Sequence, residues 1–364
     1  MSVTATNKVL TGDNPFGIDI DHYKIMGVPP QGDAAWSETH YWAIWNPEQN
    51  IGVYVHMGVD EVDKYLWWAQ VFAYLPNGII VADRSWGRSE DRLGPRTGNF
   101  SAICTEPLKR WKLKFDGAGE VVSSDEMGRR LVGAGPAVPM SFEVDMVATM
   151  PIWDLYKAVD IGTHKLGGVH HEQVLVSTGT LTIGAAEYGG TWRLDGTVSR
   201  DHSRGSRDLS QLGGDHLFGF YFPESKRSVQ ALIMWDAQGK VAIRAASIGR
   251  GDELELTSDV ETTGTEKDRA KPNGLMDSLG NPKTFTMTLG LNEGRMVLQG
   301  EVLHTLQCSL IGSNTNVNGT AYSIPGDHLV TVECPVRMIW PDGEVGYGQM
   351  GRTYRFSLLP GWQK

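Results

Sequence analysis

The sequence predicts an all-β protein made of two related antiparallel halves, and three observations predict it. The first is composition: 44 of the 364 residues are Gly and 17 are Pro, a glycine share well above the usual ~7%. No collagen-like period accompanies the glycine. Glycine scattered among short apolar runs therefore indicates many tight turns between strands.

The second observation is a repeated order of apolar run, turn signal and apolar run. Each turn supplies Gly, Asn, Asp or Pro, which accept a positive φ or fix φ in advance. Six such turns lie at residues 46–49, 76–78, 116–119, 236–239, 292–294 and 341–343. The helix candidates, residues 60–68 and 151–159, lack an amphipathic repeat over three turns. The pattern therefore predicts hairpins throughout the chain.

The third observation is a weak internal duplication. Residues 70–88 and 230–250 both begin with Gln, place Gly at a turn and close with Gly-Arg. Two β domains in tandem, residues 1–165 and 166–364, explain this repeat at an offset near half the chain. Chance likeness between hairpins is the alternative explanation.

Charge and cysteine content narrow the class of protein. The formal net charge is -10, which argues against nucleic-acid binding and against an electrostatic membrane anchor. The three cysteines are far apart in the sequence, at Cys104, Cys308 and Cys334. This odd, widely spaced set gives no disulfide framework and fits a reducing compartment. Residues 1–16 lack the apolar core of a signal peptide, and no stretch approaches ~18 apolar residues. We therefore expect a cytoplasmic protein with no membrane span.

Sequence motifs for several enzyme classes are missing from the chain. There is no Walker A motif, no GxGxxG opening a helix, no GxSxG elbow and no HExxH. This disfavours a nucleotide- or flavin-dependent enzyme and a standard serine hydrolase. We expect no cofactor.

The densest polar cluster is the run from Ser199 to Asp208. Asp201 and His202 are candidates for acid–base chemistry, because His titrates near neutral pH and a carboxylate shifts that titration. Adjacent strand residues point to opposite faces, so a bulge at residues 203–205 is needed to bring them together. The three arginines of the run, Arg200, Arg204 and Arg207, are candidates to bind an anionic oxygen or to orient carboxylates. The alternative is a solvated loop with local ion pairs.

Two further polar segments are candidate site residues. On a strand, His171 and Gln173 share one face, opposite to Glu172. No third and fourth ligand follow at a recognised metal spacing, so we expect no metal. Glu344 and Tyr347 alternate with glycines that leave room for a ligand. A polar strand start and plain hairpin geometry are the respective alternatives.

Aromatic residues suggest the kind of ligand. Glu38, His40 and Trp42 share a face if residues 36–42 form a strand, and Trp86 adds a further indole. The chain has 12 Trp, and aromatic walls suit an apolar or aromatic ligand. Core packing between sheets is the alternative use.

Together these motifs resemble a known family. The His171-Glu172-Gln173 run, the Arg200-Asp201-His202-Ser203 run and residues 344–348 are similar to those of the carotenoid 1,2-hydratase (hydroxyneurosporene synthase) and AttH-like superfamily, which includes kievitone-hydratase-like proteins. The resemblance implies two lipocalin-like β-barrel or sandwich domains in tandem. It implies Asp201 and His202 as the recognisable motif. A Trp often follows two residues after that His, whereas this chain has Arg204.

The resemblance also implies an activity. It suggests a cofactor-independent lyase, either a hydratase or dehydratase or an aldehyde-releasing carbon–carbon lyase, acting on a hydrophobic aromatic, phenolic or terpenoid molecule. Asp201 and His202 would transfer protons with Glu344 and Tyr347, while the other candidates would bind substrate. A non-catalytic lipophile carrier is the alternative, because one fold hosts many functions. Homo-oligomerisation is left open.

Overall fold

The computed structural model describes residues 7–23, 32–33, 35–60, 63, 65–89, 94–128, 133–159, 168–185, 187–206, 212–263, 283–311, 315–316 and 329–355. Nearly all regular structure in these ranges is extended, which confirms the all-β prediction. Two short α-helices, α1 (Ser124–Gly128) and α2 (Leu155–Ala158), and two 3₁₀ turns (Ile20–Tyr23 and Pro76–Gly78) complete it.

The first sheet contains the strands β2 (Trp36–Asn46), β3 (Ile51–Val59), β4 (Leu66–Leu75), β5 (Ile79–Arg88), β6 (Phe100–Glu106), β7 (Arg110–Ser123), β8 (Ala137–Ala148), β9 (Trp153–Asp154), β10 (Val169–Ile183), β11 (Gly190–Arg193) and β12 (Gly196–Ser206). Strands β10, β12, β2, β3, β4, β5, β7 and β8 pair in that order, and β8 pairs back with β10. The sheet therefore closes into an antiparallel barrel. Its interior is filled by residues such as Trp42, Val55, Val71, Leu113 and Val144.

The second sheet contains the strands β1 (Lys8–Thr11), β13 (Leu212–Phe222), β14 (Arg227–Asp236), β15 (Val241–Arg250), β16 (Glu253–Thr257), β17 (Val260–Thr262), β18 (Thr284–Leu291), β19 (Gly294–Val302), β20 (Leu306–Ile311), β21 (Thr315–Asn316), β22 (Leu329–Ile339) and β23 (Val345–Arg355). The pairing runs β1, β16, β15, β14, β13, β23, β22, β19, β18 and β17. Phe218, Val229, Leu289 and Met338 belong to its separate core.

Five of the six predicted turns join paired strands. The exception is residues 116–119, which lie inside β7 and pair without interruption with β8. A Cβ on Gly119 would lie 2.8 Å from Val81 Cγ1 and 3.0 Å from the Ala82 carbonyl oxygen. Gly119 therefore permits β7 to approach β5 closely, and close backbone approach is the other common role of glycine in a sheet.

Each of the two segments of the predicted duplication forms a β-hairpin, one in each sheet. Residues 70–88 lie in the β4–β5 hairpin, and residues 230–250 lie in the β14–β15 hairpin. The first sheet extends past residue 165, because β10 and β12 pair within the barrel. Strand β13 is the next strand along the chain, and it pairs in the second sheet.

Of the two candidate helical segments, residues 151–159 contain a short helix and the end of residues 60–68 is a strand. Residues 151–159 contain α2, where the Asp154 carboxylate accepts a hydrogen bond from the Lys157 N–H. In the other segment residues 66–68 begin β4, and part of residues 60–65 lies outside the described residues. Among the described residues, no helix is long and apolar enough to span a bilayer.

Polar contacts join the barrel to the second sheet. The Tyr41 hydroxyl donates to Glu333 Oε2 over 3.1 Å, and the Thr149 and Ser228 hydroxyls are 2.8 Å apart. A Cβ on Gly219 would lie 2.4 Å from Ser199 Oγ, so β13 packs closely on β12. The wall formed by β2, β12 and β10 thus has one face inside the barrel and the other against the second sheet.

Candidate functional site

Strand pairing aligns three imidazoles inside the barrel. His171 on β10 is the direct partner of His202 on β12, and His202 is the direct partner of His40 on β2. Residues two positions along each strand share the same face. The inward-facing polar side chains, here called the barrel site, are Glu38, His40, His171, Arg200, His202 and Arg204.

The Glu38 carboxylate is the centre of the barrel site. Its Oε1 atom accepts hydrogen bonds from Arg204 Nη2 over 2.6 Å and from His202 Nε2 over 3.1 Å. His40 Nε2 lies 3.4 Å from the same oxygen. The rings of His40 and His202 stack with centres 4.2 Å apart and planes 9° from parallel. One buried carboxylate therefore orients two imidazoles.

Burial and hydrogen bonding determine the charges of these groups. Burial alone would raise the pKa of Glu38, but hydrogen bonds from His202 and His40 and the charge of Arg204 hold it well below its usual range. Burial lowers the pKa of His40. Burial and the neighbouring His40 hold the pKa of His202 well below its usual range. At neutral pH the site therefore holds a carboxylate and two neutral imidazoles.

The carboxylate also fixes the tautomers of the two rings. A carboxylate only accepts, so each neutral imidazole carries its proton on Nε2 and has a lone pair on Nδ1. Neither His40 Nδ1 nor His202 Nδ1 has a hydrogen-bond partner among the described residues. The arrangement presents two oriented, unprotonated nitrogens.

Aromatic rings form the walls of the barrel site. Trp42 stacks on His40 with ring centres 5.5 Å apart, and Trp111 meets His40 edge-on at 6.0 Å. The Arg200 guanidinium carbon lies 4.8 Å from the Trp111 ring centre and 5.4 Å from that of Tyr23. Burial raises the pKa of the Tyr23 hydroxyl to about 12, so this phenol is neutral.

His171 occupies the edge of the barrel site. Its ring centre lies 5.8 Å from that of His202, and its Nε2 lies 3.7 Å from Asp154 Oδ2. Burial would raise the pKa of Asp154, but the hydrogen bond and charge of His171 outweigh it and lower that pKa. Asp154 thus supports His171 as Glu38 supports His202.

A second polar group lies on the other face of the same wall. The inter-sheet cluster consists of His170, Glu172 and Asp201, and His170 Nε2 lies 2.8 Å from both Glu172 Oε1 and Asp201 Oδ2. Burial would lower the pKa of His170, but Asp201 and Glu172 raise it well above its usual range. Burial and repulsion from Asp201 raise the pKa of Glu172 to about 8.

Two carboxyls of the second sheet extend this acidic region. Burial raises the pKa of Asp215 to about 6 and that of Glu333 to about 7. The Glu333 carboxyl contacts Tyr41 and Gln349. The space between the sheets therefore holds several carboxyl groups that retain protons near neutral pH.

The structure corrects the expectation of a direct Asp201–His202 pair. Strand β12 continues without a bulge through residues 203–205, in unbroken register with β2. Neighbouring residues of a regular strand point to opposite faces. His202 therefore contacts Glu38 inside the barrel, whereas Asp201 contacts His170 between the sheets. Neither side chain of the motif is on an open surface, since His202 is buried and Asp201 is 13% exposed.

Three other candidates lie away from the barrel site. Glu344 accepts from the Ser225 N–H at 2.8 Å, close to Arg227. Tyr347 packs against an apolar cluster that contains Tyr41, and Trp86 is 48% exposed on β5. In the described part of the chain, no hydrogen bond, ion pair or ring contact joins these three to the barrel site.

The remaining candidates divide between the two faces. Glu38, His40 and Trp42 share one face of β2, as predicted. That face lines the barrel interior together with His171 and Arg204. The Gln173 side chain donates to the Leu108 and Met150 carbonyls, and Glu172 belongs to the inter-sheet cluster. Arg207 lies outside the described residues.

Arg200 was one of three arginines expected to hold an anionic oxygen, and it alternates with His202 and Arg204 along β12. Three other site residues were not identified from the sequence. Asp154, Tyr23 and Trp111 reach the site from separate elements. No spacing in the sequence links these three residues to β12.

Two sets of side chains have the ligand types and separations of a metal site. Glu38, His40 and His202 form one set, and His170, Glu172 and Asp201 form the other, each with ligand atoms within 4.8 Å. Imidazole and carboxylate are common ligands of first-row divalent metals. In the second set, His170 and Glu172 lie on β10, and the pairing of β10 with β12 brings Asp201 beside them as a third ligand. The spacing in the sequence did not reveal this third ligand.

Comparison with solved structures shows which proteins share the fold. An AttH-type protein of Nitrosomonas europaea matches with a TM-score of 0.58 at 13% identity, covering 90% of this chain and 96% of that one. Kievitone hydratase of Nectria haematococca matches with a TM-score of 0.53 at 15% identity, covering 95% of each. CghA in complex with Sch210972 matches with a TM-score of 0.54 at 11% identity, covering 96% and 98%.

This chain therefore has the two-part β fold of the AttH-type and kievitone hydratase structures, as the motifs predicted. Residues 26–352 match the family model described as a domain of unknown function, DUF7064. The chain belongs to that family. A search of curated proteins found no significant match.

Proposed function

We propose that this protein is a hydratase- or lyase-type enzyme that transfers protons at the barrel site, acting on a hydrophobic aromatic, phenolic or terpenoid molecule. One observation carries the proposal: Glu38 orients the neutral imidazoles of His40 and His202, and neither Nδ1 atom has a hydrogen-bond partner in the part of the chain that the structure describes. A base held by a carboxylate is a recurrent device for proton abstraction.

His202 is the proposed general base. Its Nδ1 atom takes a proton from water as the water oxygen bonds to one carbon of a double bond, and the resulting imidazolium returns that proton to the other carbon. Dehydration is the reverse, with proton removal from carbon and loss of water. The Glu38 carboxylate stabilises the imidazolium in both directions.

The stacking of the two rings limits how many protons the site holds. A charge on one imidazole strongly disfavours a charge on its neighbour at 4.2 Å. One ring is therefore protonated at a time, and His40 remains a neutral hydrogen-bonding group while His202 reacts. This arrangement suits a reaction that shuttles one proton.

The surroundings support the class of substrate. Trp42 and Trp111 pack against the His40 imidazole, and aromatic walls are common in sites for apolar small molecules. Of the proteins that share the fold, one is named a hydratase and another was solved with the organic compound Sch210972. A carrier that holds such a molecule without changing it is the alternative outcome of the test.

The test is a turnover screen by mass spectrometry against apolar phenolics and terpenoids. We expect the wild type to change a substrate by the mass of one water or of a small carbonyl fragment. Glu38→Gln and His202→Gln should reduce kcat by about 10²–10⁴-fold. Glu344→Gln is the matched control, because Glu344 lies away from the barrel site. Full activity in Glu38→Gln contradicts the role of the barrel site, and binding without turnover by every variant identifies a carrier.

A further inference from the structure

We propose that the barrel site binds an organic carboxylate, with the Arg200 guanidinium as its anchor. The inference names the substrate class of the proposed enzyme and rests on that function only for the location of the reacting atoms. It stands on the burial and surroundings of one arginine of the polar run on β12.

Arg200 is fully buried, with a relative exposure of 0%. None of its three guanidinium nitrogens makes a hydrogen bond of good geometry to the described residues. The nearby Tyr23 hydroxyl is a neutral group, because burial raises its pKa more than Arg200 lowers it. Its near neighbours are the flat faces of Trp111 and Tyr23. Rings stabilise a cation only in part, and buried charges are ordinarily paired with an opposite charge. The guanidinium therefore has the donors for a ligand that carries negative charge.

The charges around Arg200 leave it without a counter-ion among the described residues. The Glu38 carboxylate accepts from Arg204 and His202. Asp154 faces His171 and Lys157. Burial raises the pKa of the Cys104 thiol to about 11, and the Tyr23 phenol is also neutral at pH 7. The interior therefore carries one positive charge in excess near Arg200.

The position of Arg200 suits a conjugated carboxylate. It is the next inward-facing residue after His202 on β12, so the two side chains lie ~7 Å apart along the strand. A carboxylate held by the planar guanidinium forms two parallel hydrogen bonds. The double bond beyond it would then lie beside His202. Negative charge that develops on the carboxylate as water adds would be stabilised by the same arginine.

The experiment uses the full chain, with trans-cinnamate as probe and the neutral cinnamamide as its isostere. Binding is followed by tryptophan fluorescence, since Arg200 lies over Trp111, and stability by thermal melting. We expect cinnamate, and not cinnamamide, to raise the wild-type Tm by at least about 2 °C. Arg200→Met should weaken cinnamate binding by about 10–100-fold. Arg200→Lys should retain part of the affinity.

The stability of the free protein separates an anchor from a structural arginine. An unpaired buried charge destabilises the fold, so Arg200→Met without ligand should melt about 1–3 °C above the wild type. Arg352→Met is the matched control: that arginine is also fully buried but donates to the Thr263 carbonyl. Its removal should lower Tm.

Two results would overturn the proposal. One is equal cinnamate affinity in the wild type and Arg200→Met, and the other is absence of wild-type binding up to millimolar cinnamate. Glu38→Gln distinguishes the two proposals, because it should bind cinnamate and lack turnover. An active Glu38→Gln variant that still binds cinnamate through Arg200 would contradict the proposed function and leave the carboxylate site standing.

Discussion

At the scale of single residues, hydrogen-bond donors decide what burial does to a carboxyl group. Glu38 and Glu333 are both buried glutamates. Imidazole and guanidinium donors lower the pKa of Glu38, whereas the donors at Glu333 are a phenol and an amide, and burial raises its pKa to about 7. The first is a carboxylate at pH 7, and the second still holds its proton in part.

Glu333 therefore makes stability depend on pH. Its pKa is near 4.5 when unfolded and about 7 when folded. The stabilisation is complete below pH 4.5 and is lost as pH rises through 7, by an upper limit of roughly 3–4 kcal/mol. Glu333→Gln should flatten the fall in Tm between pH 5 and pH 8. The exposed Glu301→Gln is the control, and an unchanged slope in Glu333→Gln would refute this assignment.

At the scale of the elements, the period-two rule explains what the sequence predicts about the site and where it fails. The shared face of Glu38, His40 and Trp42 follows from β2 alone, and the opposition of Asp201 and His202 follows from β12 alone. Pairing between distant strands does not follow, so the contact of His202 with Glu38 was not predicted. Strand β7 shows a second way in which the prediction fails. Residues 116–119 have the composition of a turn, but they lie within β7, where glycine lets a neighbouring strand approach closely.

This account of β7 predicts the effect of adding one methyl group. Gly119→Ala should destabilise the fold by about 1–3 kcal/mol, because its Cβ meets Val81 and the Ala82 backbone. Gly98→Ala is the control, since its nearest contact is an ordinary 3.5 Å. Chemical denaturation measures both. Equal unfolding free energies for the two variants would mean that β7 tolerates the methyl group.

At the scale of the whole molecule, the wall formed by β2, β10 and β12 separates the barrel interior from the space between the two sheets. The face of β2, β10 and β12 inside the barrel carries the proposed chemistry, and the opposite face carries the acidic contacts to the second sheet. The all-β class and the two repeated hairpins were predictable, because turn residues and the strand period are local properties. The closure of the first sheet through β10 and β12 was not, because it depends on pairing across the chain.

The two faces should respond differently to mutation. Asp201→Asn weakens the inter-sheet cluster, so we expect a lower Tm and a comparatively small loss of kcat. His202→Gln acts inside the barrel and should lower kcat by about 10²–10⁴-fold. Melting and turnover measured on the same preparations test this contrast. A loss of turnover in Asp201→Asn as large as that in His202→Gln would move the reaction to the space between the sheets.

The central claim is that Glu38 holds two neutral imidazoles whose Nδ1 atoms are free to accept a proton. The most direct measurement is ¹⁵N NMR of histidine-labelled protein at pH 7, with His40→Gln and His202→Gln used to assign the two rings. We predict a protonated Nε2 and an unprotonated Nδ1 for both, persisting below pH 6.5 because both pKa values are lowered. Imidazolium signals from either ring at pH 7 would contradict the claim.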